Sequence, residues 1–336
     1  MPEPTDFDVL RQGAALVPRI GRSVVRVSGA ERGSWLQGLL SNDVQALAPG
    51  QGCYAAWLTP QGRMITDVIA LAEDDTISLE VPVALAEMLC RQLGAAVFAE
   101  DVVLTDEGAV WGMVGVHGPN AAAAVSRAMV GSRSSGTRLT VDVLMGWPEF
   151  GHAPLGPLGR VMRCDQYGAP GFMLRVPAEA RDLWMSRLRL AGATPVAPDA
   201  IDFARIEVGR PEFLIDMDAD TIPLEAGIED RAISFTKGCY VGQEVIVRVV
   251  HRGGGRVARK LVGLRVEGLA VPVARAAVRA ERGDVGRVTS AAWSPRLQGT
   301  VALAYVHRDF VEPGTPLTVD CEGTRQKAVV SAFPIG

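Results

Sequence analysis

The sequence is poor in the residues that hold metals and disulfides. Cysteine occurs five times, at positions 53, 90, 164, 239 and 321, and histidine four times. The cysteine count is odd and no pair has a C-x-x-C spacing, which argues against a secreted disulfide framework and against a zinc ribbon. A reducing compartment is expected, with most thiols packed as small apolar side chains. No tight His/Cys/carboxylate cluster makes a metal site by itself. Also absent are a G-x-S-x-G elbow, a G-x-x-x-x-G-K-[ST] loop, an H-E-x-x-H pair and a G-x-G-x-x-G after a strand. Their absence argues against a serine hydrolase, a P-loop NTPase, a zincin and a dinucleotide-binding enzyme. The N-terminus, Met-Pro-Glu-Pro-Thr-Asp-Phe-Asp, is acidic and has no apolar h-region, so neither a signal peptide nor a basic transit peptide is expected. The longest uncharged stretch, 108–126, is interrupted by His117-Gly118-Pro119-Asn120, which is turn chemistry and suits a strand and an Ala-rich helix rather than a membrane span. A cytoplasmic protein with no membrane partner is the expectation.

The remaining composition is that of an ordinary folded protein. The 336 residues include 34 Lys+Arg and 38 Asp+Glu, a formal charge of −4, with 48% hydrophobic and 21% charged residues. These values exclude disordered and collagenous chains and a supercharged nucleic-acid sleeve. The length suggests two or three domains, long enough to bury a core without covalent staples.

Periodicity predicts strands at 23–29, 53–58, 64–71, 76–81 and 97–104, with helices at 31–40 and 83–93, a pattern like a split βαβ, ferredoxin-like unit. A second run has strands at 110–116, near 137–144 and at 172–176, and helices at 120–129, 178–190 and 198–209. After His251, Gly253-Gly254-Gly255 is a candidate hinge. Short β-rich runs follow at 261–266, 285–291, 301–305, 317–319 and 328–332, which suggest a small all-β barrel or sandwich. The expected boundaries are 1–106 and 107–252 for two ferredoxin-like units, the second including the signature segment described next, and 253–336 for a β-barrel.

One segment stands out: Lys237-Gly238-Cys239-Tyr240-Val241-Gly242-Gln243-Glu244. Its glycines permit tight turns or close ligand approach. A thiol near an ammonium, at a helix start, could be thiolate-rich and serve as a nucleophile or metal ligand. The alternative is a glycine-rich turn holding a buried structural cysteine. From 237 to 265, Lys237, Arg248, Arg252, Arg256, Arg259, Lys260 and Arg265 face one acid, Glu244. This excess could attract an anion such as a carboxylate tail, a phosphate or RNA, or could be a solvated face and linker. Few aromatics interleave, which argues against a single-strand stacking platform. Trp35, Trp57 and Trp111 are expected in the core, and His251 at the surface.

The octapeptide resembles the signature of the YgfZ group within the glycine-cleavage T-protein (GcvT)-like folate-binding superfamily. Residues 35–44 (WLQGLLSNDV), 60–67 (PQGRMITD), 222–226 (IPLEA), 286–290 (GRVTS) and 301–306 (VALAYV) resemble further stretches of that superfamily, in order, so that the similarity spans about 23–331. The resemblance implies an α+β fold, with two ferredoxin-like units forming a GcvT-like folate-binding domain plus a C-terminal β-barrel. It implies tetrahydrofolate or a derivative as cofactor, and a role in maintaining iron–sulfur enzymes, including those that modify tRNA.

Asp67 aligns with the acidic residue that T-proteins place at the folate nitrogen where one-carbon transfer occurs. Asn42 and Asp43 would form a helix-end turn near it, capping being the alternative. Glu225, in a segment with Asp216, Asp218 and Asp220, could read the pterin's donor edge or belong to a solvated acidic loop. Tyr240 and Arg248 complete the expected folate-binding set of Asp67, Asn42, Glu225, Tyr240 and Arg248. Asp67, Lys237 and Cys239 are the expected catalytic residues, with Cys239 as a redox thiolate or metal ligand. At the position of the T-protein pterin-contacting glutamate stands Met173, which weakens aminomethyl transfer. Clusters typically take four protein ligands, so a transient iron–sulfur cluster on Cys239 would have to be shared with a partner, an iron–sulfur assembly factor, a client enzyme or a second copy. Three functions are thus weighed: a folate-binding accessory protein for iron–sulfur assembly or repair, a folate-dependent aminomethyl or one-carbon transferase, and a tRNA-binding module using the basic stretch, although direct nucleic-acid binding is not expected.

Overall fold

The computed structural model describes residues 5–18, 21–129, 138–156, 159–252, 254–281 and 283–336. The chain divides into two units. The first comprises residues 1–57, 66–197 and 231–241, and the second 58–65, 198–230 and 242–336.

The first unit holds strands β1 (Ala15–Pro18), β2 (Arg22–Ser28), β3 (Gly52–Leu58), β4 (Met64–Ala72), β5 (Thr76–Pro82), β6 (Val103–Asp106), β7 (Trp111–His117), β8 (His152–Leu155), β9 (Gly159–Arg163), β10 (Gly171–Pro177) and β11 (Thr194–Pro195). They form two sheets, ordered β3-β4-β5-β2-β6 and β11-β1-β7-β10-β9-β8. β1 precedes β2 in sequence but belongs to the other sheet, where it runs antiparallel to β7. Helices Ala121–Ala128 and Arg181–Leu190 cover the second sheet, burying Ala121, Ala124, Val125, Trp184 and Leu188 against Val114, Val116, Phe172 and Leu174. Removing this apolar area from water is the main force holding the layers together.

In the second unit, β12 (Arg259–Val266), β13 (Ala277–Ala280), β14 (Gly283–Ser294), β15 (Gly299–His307), β16 (Pro316–Cys321) and β17 (Thr324–Ser331) close into a barrel ordered β12-β15-β14-β13-β16-β17. Its interior is filled by alternate residues such as Val262, Leu264, Val266, Val288, Ala302, Ala304, Val306 and Val319. The mixed α+β class and the terminal barrel agree with expectation.

Several elements differ from it. The strand expected at 97–104 is confined to β6. The strand expected near 137–144 is the helix Val141–Met145, because Thr140 caps it by accepting the Val143 N–H at 3.3 Å. Thr137 lies outside the described residues, as do the first four residues, Gly253 of the expected hinge and the side chain of Arg252. The helix expected at 31–40 spans only Arg32–Gln37. The hairpin β8–β9 and strands β1 and β13 are too short to carry a periodic signal.

A buried ionic network joins the two sheets of the first unit. Glu73, after β4, meets Arg175 of β10 at 2.5 Å and Arg160 of β9 at 3.2 Å. Burial opposes its charge, but Arg175, Ser78 and Arg160 outweigh burial and lower its pKa. Arg160 donates to His152 Nδ1 at 2.8 Å, and His152 Nε2 meets the Gln51 carbonyl at 3.2 Å. An arginine donor needs an acceptor nitrogen, so this imidazole is neutral with its proton on Nε2. Burial, then the Arg160 charge, pushes its pKa down to about 4.

Candidate functional site

The first sheet carries a polar row across four neighbouring strands: Tyr54 on β3, Asp67 on β4, Glu80 on β5 and Arg22 on β2. Asp67 is 5% exposed. Its Oδ1 accepts from Arg22 Nη1 at 2.7 Å and its Oδ2 from the Tyr54 hydroxyl at 3.2 Å. Arg22 also donates from Nη2 to the Glu80 carbonyl at 2.8 Å, and its Nε lies 3.6 Å from the Glu80 carboxylate. Burial, then the Asp67 charge, keeps the Tyr54 phenol protonated by raising its pKa well above the usual value. The Arg231 guanidinium stands 5.0 Å from the Tyr54 ring centre and pairs with Glu149 at 3.2 Å.

Residues two apart on a strand share a face. Arg22 therefore shares a face with Val24, Asp67 with Leu71, and Glu80 with Ser78. Val24, Leu71, Ser78 and Glu80, with Met113, Arg160, Met162, Met173 and Arg175, line a narrow cavity between the two sheets, with a volume of about 10 Å³. This is about the space one water molecule needs, far below that of a ligand pocket. The position where the resemblance leads one to expect a carboxylate is an apolar wall: Met173 is 2% exposed. The ionic groups at this cavity are Glu80, Arg160 and Arg175, and both guanidinium groups are already paired with Glu73. The Arg175 guanidinium also lies 4.9 Å from the ring centre of Trp111, which is half-buried, while Trp35 and Trp57 are in the core as expected.

Lys237 is buried, and its ammonium donates to the carbonyls of Gln37, Leu40 and Asn42 at 2.7, 2.6 and 3.0 Å. These carbonyls follow the helix Arg32–Gln37 or close its end, so Lys237 satisfies acceptors that the helix leaves open. Its Nζ also lies 5.0 Å from the Tyr240 ring centre. Burial lowers the Lys237 pKa to about 8 and raises that of Tyr240 to about 12. The thiol that Lys237 influences electrostatically is Cys53, whose pKa burial nonetheless pushes up to about 12. Asn42 donates to the Tyr54 and Arg231 carbonyls at 2.8 and 2.9 Å and accepts from the Asp43 N–H. Its amide is thus committed to the turn.

Asp67, Tyr54, Asn42, Lys237 and Tyr240 therefore form one continuous set of contacts inside the first unit. Cys239 lies outside it. It is exposed and has no hydrogen bond or ion pair among the described residues, which corrects the reading of a buried structural cysteine. Neither Asp67 nor Cys239 is among the residues lining the inter-sheet cavity. Among the described residues, no group of three or more His, Cys, Asp and Glu could hold a metal ion. Among the described residues there is no ligand set for a resident cluster, and Cys239 offers a single sulfur.

In the second unit, Glu225 is buried and pairs with Arg259 Nε at 3.1 Å, while Arg259 covers the Tyr305 ring at 4.7 Å. Arg248 is exposed and has no ion pair among the described residues. Arg256, Lys260 and Arg265 of the basic stretch are also exposed, as is His251. Asp216 departs from a solvated acidic loop. It accepts from Arg205 at 2.6 Å and from the Thr289 and Ser290 hydroxyls at 2.5 Å each, beside the bulge of β14. Gly242 has φ +85°, and a Cβ there would stand 2.5 Å from the Thr59 carbonyl oxygen, so this octapeptide glycine is required by close backbone approach.

Arg22, Tyr54, Glu80 and Arg231 had not been singled out. Arg22 had a weak signal, a cation directly before the strand expected at 23–29. Arg231 had none, since only the fold brings it over Tyr54.

Among known proteins, the chain is 31% identical to an aminomethyltransferase of Synechococcus sp. (strain RCC307) over 316 residues, covering 93% of this chain and 84% of that protein. It is 33% identical to an aminomethyltransferase of Rubrobacter xylanophilus over 303 residues, covering 88% and 76%. The fold is similar to the crystal structure of the glycine cleavage system aminomethyltransferase T from Bartonella henselae, with a TM-score of 0.84 and 21% identity over 98% of this chain and 88% of that one. With residues 5–237 matching the GCVT N-terminal domain and 259–335 the glycine cleavage T-protein C-terminal barrel domain, the chain belongs to the glycine cleavage T-protein family.

Proposed function

We propose that the protein binds a reduced folate in its first unit and acts on the one-carbon unit that the folate carries, as an aminomethyltransferase-type protein. The relatives named aminomethyltransferase support this reading, and the observation that carries it is the buried carboxylate of Asp67, held at both oxygens. Tetrahydrofolate, when bound, supplies the nitrogens that accept a one-carbon unit. Asp67 supplies a fixed negative charge that favours positive charge developing on an adjacent amine nitrogen. Tyr54 holds one of its oxygens, and the apolar Met113, Met162 and Met173 line the narrow gap between the two sheets. Calorimetric titration with tetrahydrofolate under argon, repeated on Asp67→Asn, tests the reading. Binding that weakens in the variant supports it; equal binding by both proteins removes Asp67, and no binding by either removes the folate.

Two observations favour a second reading, a YgfZ-like accessory protein for iron–sulfur enzymes: Met173 where a T-protein glutamate is expected, and the exposed Cys239 beside the Lys237 anchor. In this reading the folate is held without aminomethyl turnover, and Cys239 meets an iron–sulfur assembly factor or client enzyme. Incubation with tetrahydrofolate and an aminomethyl donor separates the two. Methylene-folate formation supports the transferase; its absence, together with loss of iron–sulfur enzyme activity in cells carrying Cys239→Ala, supports the accessory role.

A further inference from the structure

The polar row of the first sheet contains a buried cation that the reading above does not explain. The Arg22 and Asp67 side chains are each 7% exposed, and Arg22 is fixed besides by a hydrogen bond to the Glu80 carbonyl, with the Glu80 carboxylate 3.6 Å from its Nε. A buried ion pair is weak evidence for stability, because well-packed apolar residues of similar volume often serve as well or better. What such a pair supplies is geometry. The guanidinium is planar and carries its donors in a rigid fork. One arm binds backbone on β5 and another holds the carboxylate on β4, so the fork transfers the rigidity of three adjacent strands to the Asp67 side chain. Tyr54, on the fourth strand, holds the other oxygen at 3.2 Å under the Arg231 guanidinium.

We infer that Arg22 is a positioning residue for Asp67, fixing the carboxylate on the folate-facing side of the first sheet. The inference rests on the folate reading. In its absence the carboxylate rotates toward its remaining donor, Tyr54, and a bound amine nitrogen meets a charge of undefined position. A side chain that only fills space would act independently of Asp67, whereas one that acts through Asp67 matters only while Asp67 is present.

A double-mutant cycle on tetrahydrofolate affinity distinguishes these cases, using wild type, Arg22→Met, Asp67→Asn and the double variant by calorimetry under argon, with Arg22→Lys as the conservative variant. Each single variant is expected to weaken binding by about tenfold, and the double variant no more than the weaker-binding single one. Arg22→Lys keeps the charge and one donor, and should recover part of the loss. Losses that multiply to about a hundredfold in the double variant overturn the inference, as does an Arg22→Met protein that binds like wild type. If Arg22→Met fails to fold, Arg22→Lys is compared with and without Asp67→Asn. An unchanged affinity, or a loss equally large in both backgrounds, overturns the inference. A wild type that does not bind tetrahydrofolate overturns the folate reading and this inference together; the other negative outcomes overturn this inference alone.

Discussion

Asp67 and Cys239 were both expected to be catalytic, and the protein treats them in opposite ways. Asp67 is 5% exposed with a donor on each oxygen, whereas Cys239 is exposed and has no hydrogen bond or ion pair among the described residues. A carboxylate restrained on both sides is prepared for a ligand that must meet a charge in a fixed place. An exposed thiol is open to a partner that brings its own geometry. Lys237, two residues before Cys239, divides the two cases: its ammonium faces inward to three carbonyls and so anchors the segment that presents the thiol.

The largest test of this contrast removes one buried charge. Asp67→Ala leaves Arg22 buried beside one fewer carboxylate and should cost about 3–5 kcal/mol in urea unfolding. Asp67→Ala together with Arg22→Met should recover part of that loss, because the pair is removed as a whole, while the buried Glu80 carboxylate loses the guanidinium 3.6 Å away. An Asp67→Ala protein as stable as wild type would show that Arg22 does not depend on Asp67.

A second buried network, at His152, predicts a pH dependence. Its folded pKa of about 4 lies below the ordinary value of 6.5. Between these values the unfolded chain binds more protons, so stability rises with pH across the window and is lost as pH falls from 6.5 toward 4. The loss reaches at most about 3 kcal/mol. In His152→Gln, unfolding midpoints measured from pH 7 to pH 4 should fall less steeply than in wild type. Equal slopes would place the acid sensitivity elsewhere.

Lys237→Met should cost about 1–3 kcal/mol, since three backbone carbonyls lose their donor. It should also slow alkylation of Cys53, whose thiolate the Lys237 charge favours, more than that of Cys239. Mass-spectrometric mapping of the labelled cysteines reads both. The smallest effect is expected at Cys239 itself. Cys239→Ser should leave the unfolding midpoint within about 0.5 kcal/mol of wild type, because the side chain touches little. Any effect of that variant on iron–sulfur enzymes in cells would then reflect chemistry and not folding.

The sequence alone determined the elements with long or regular apolar patterns: β2 to β5, the helices over Asn120 and Ala178, and most of the barrel. Their burial follows from residue type and spacing, which are local properties. It also marked Asp67 and the octapeptide, through resemblance. Only the tertiary structure decided which charges meet. Arg22 and Asp67 are 45 positions apart, and Lys237 and Leu40 are 197 apart. No short-range pattern encodes such pairs, because hydrogen bonds form between atoms that the packed sheets bring within 3 Å. The same holds for the turn that leaves Cys239 outside: its neighbour Lys237 is buried by a helix end from the opposite end of the sequence, and the thiol faces solvent as a consequence.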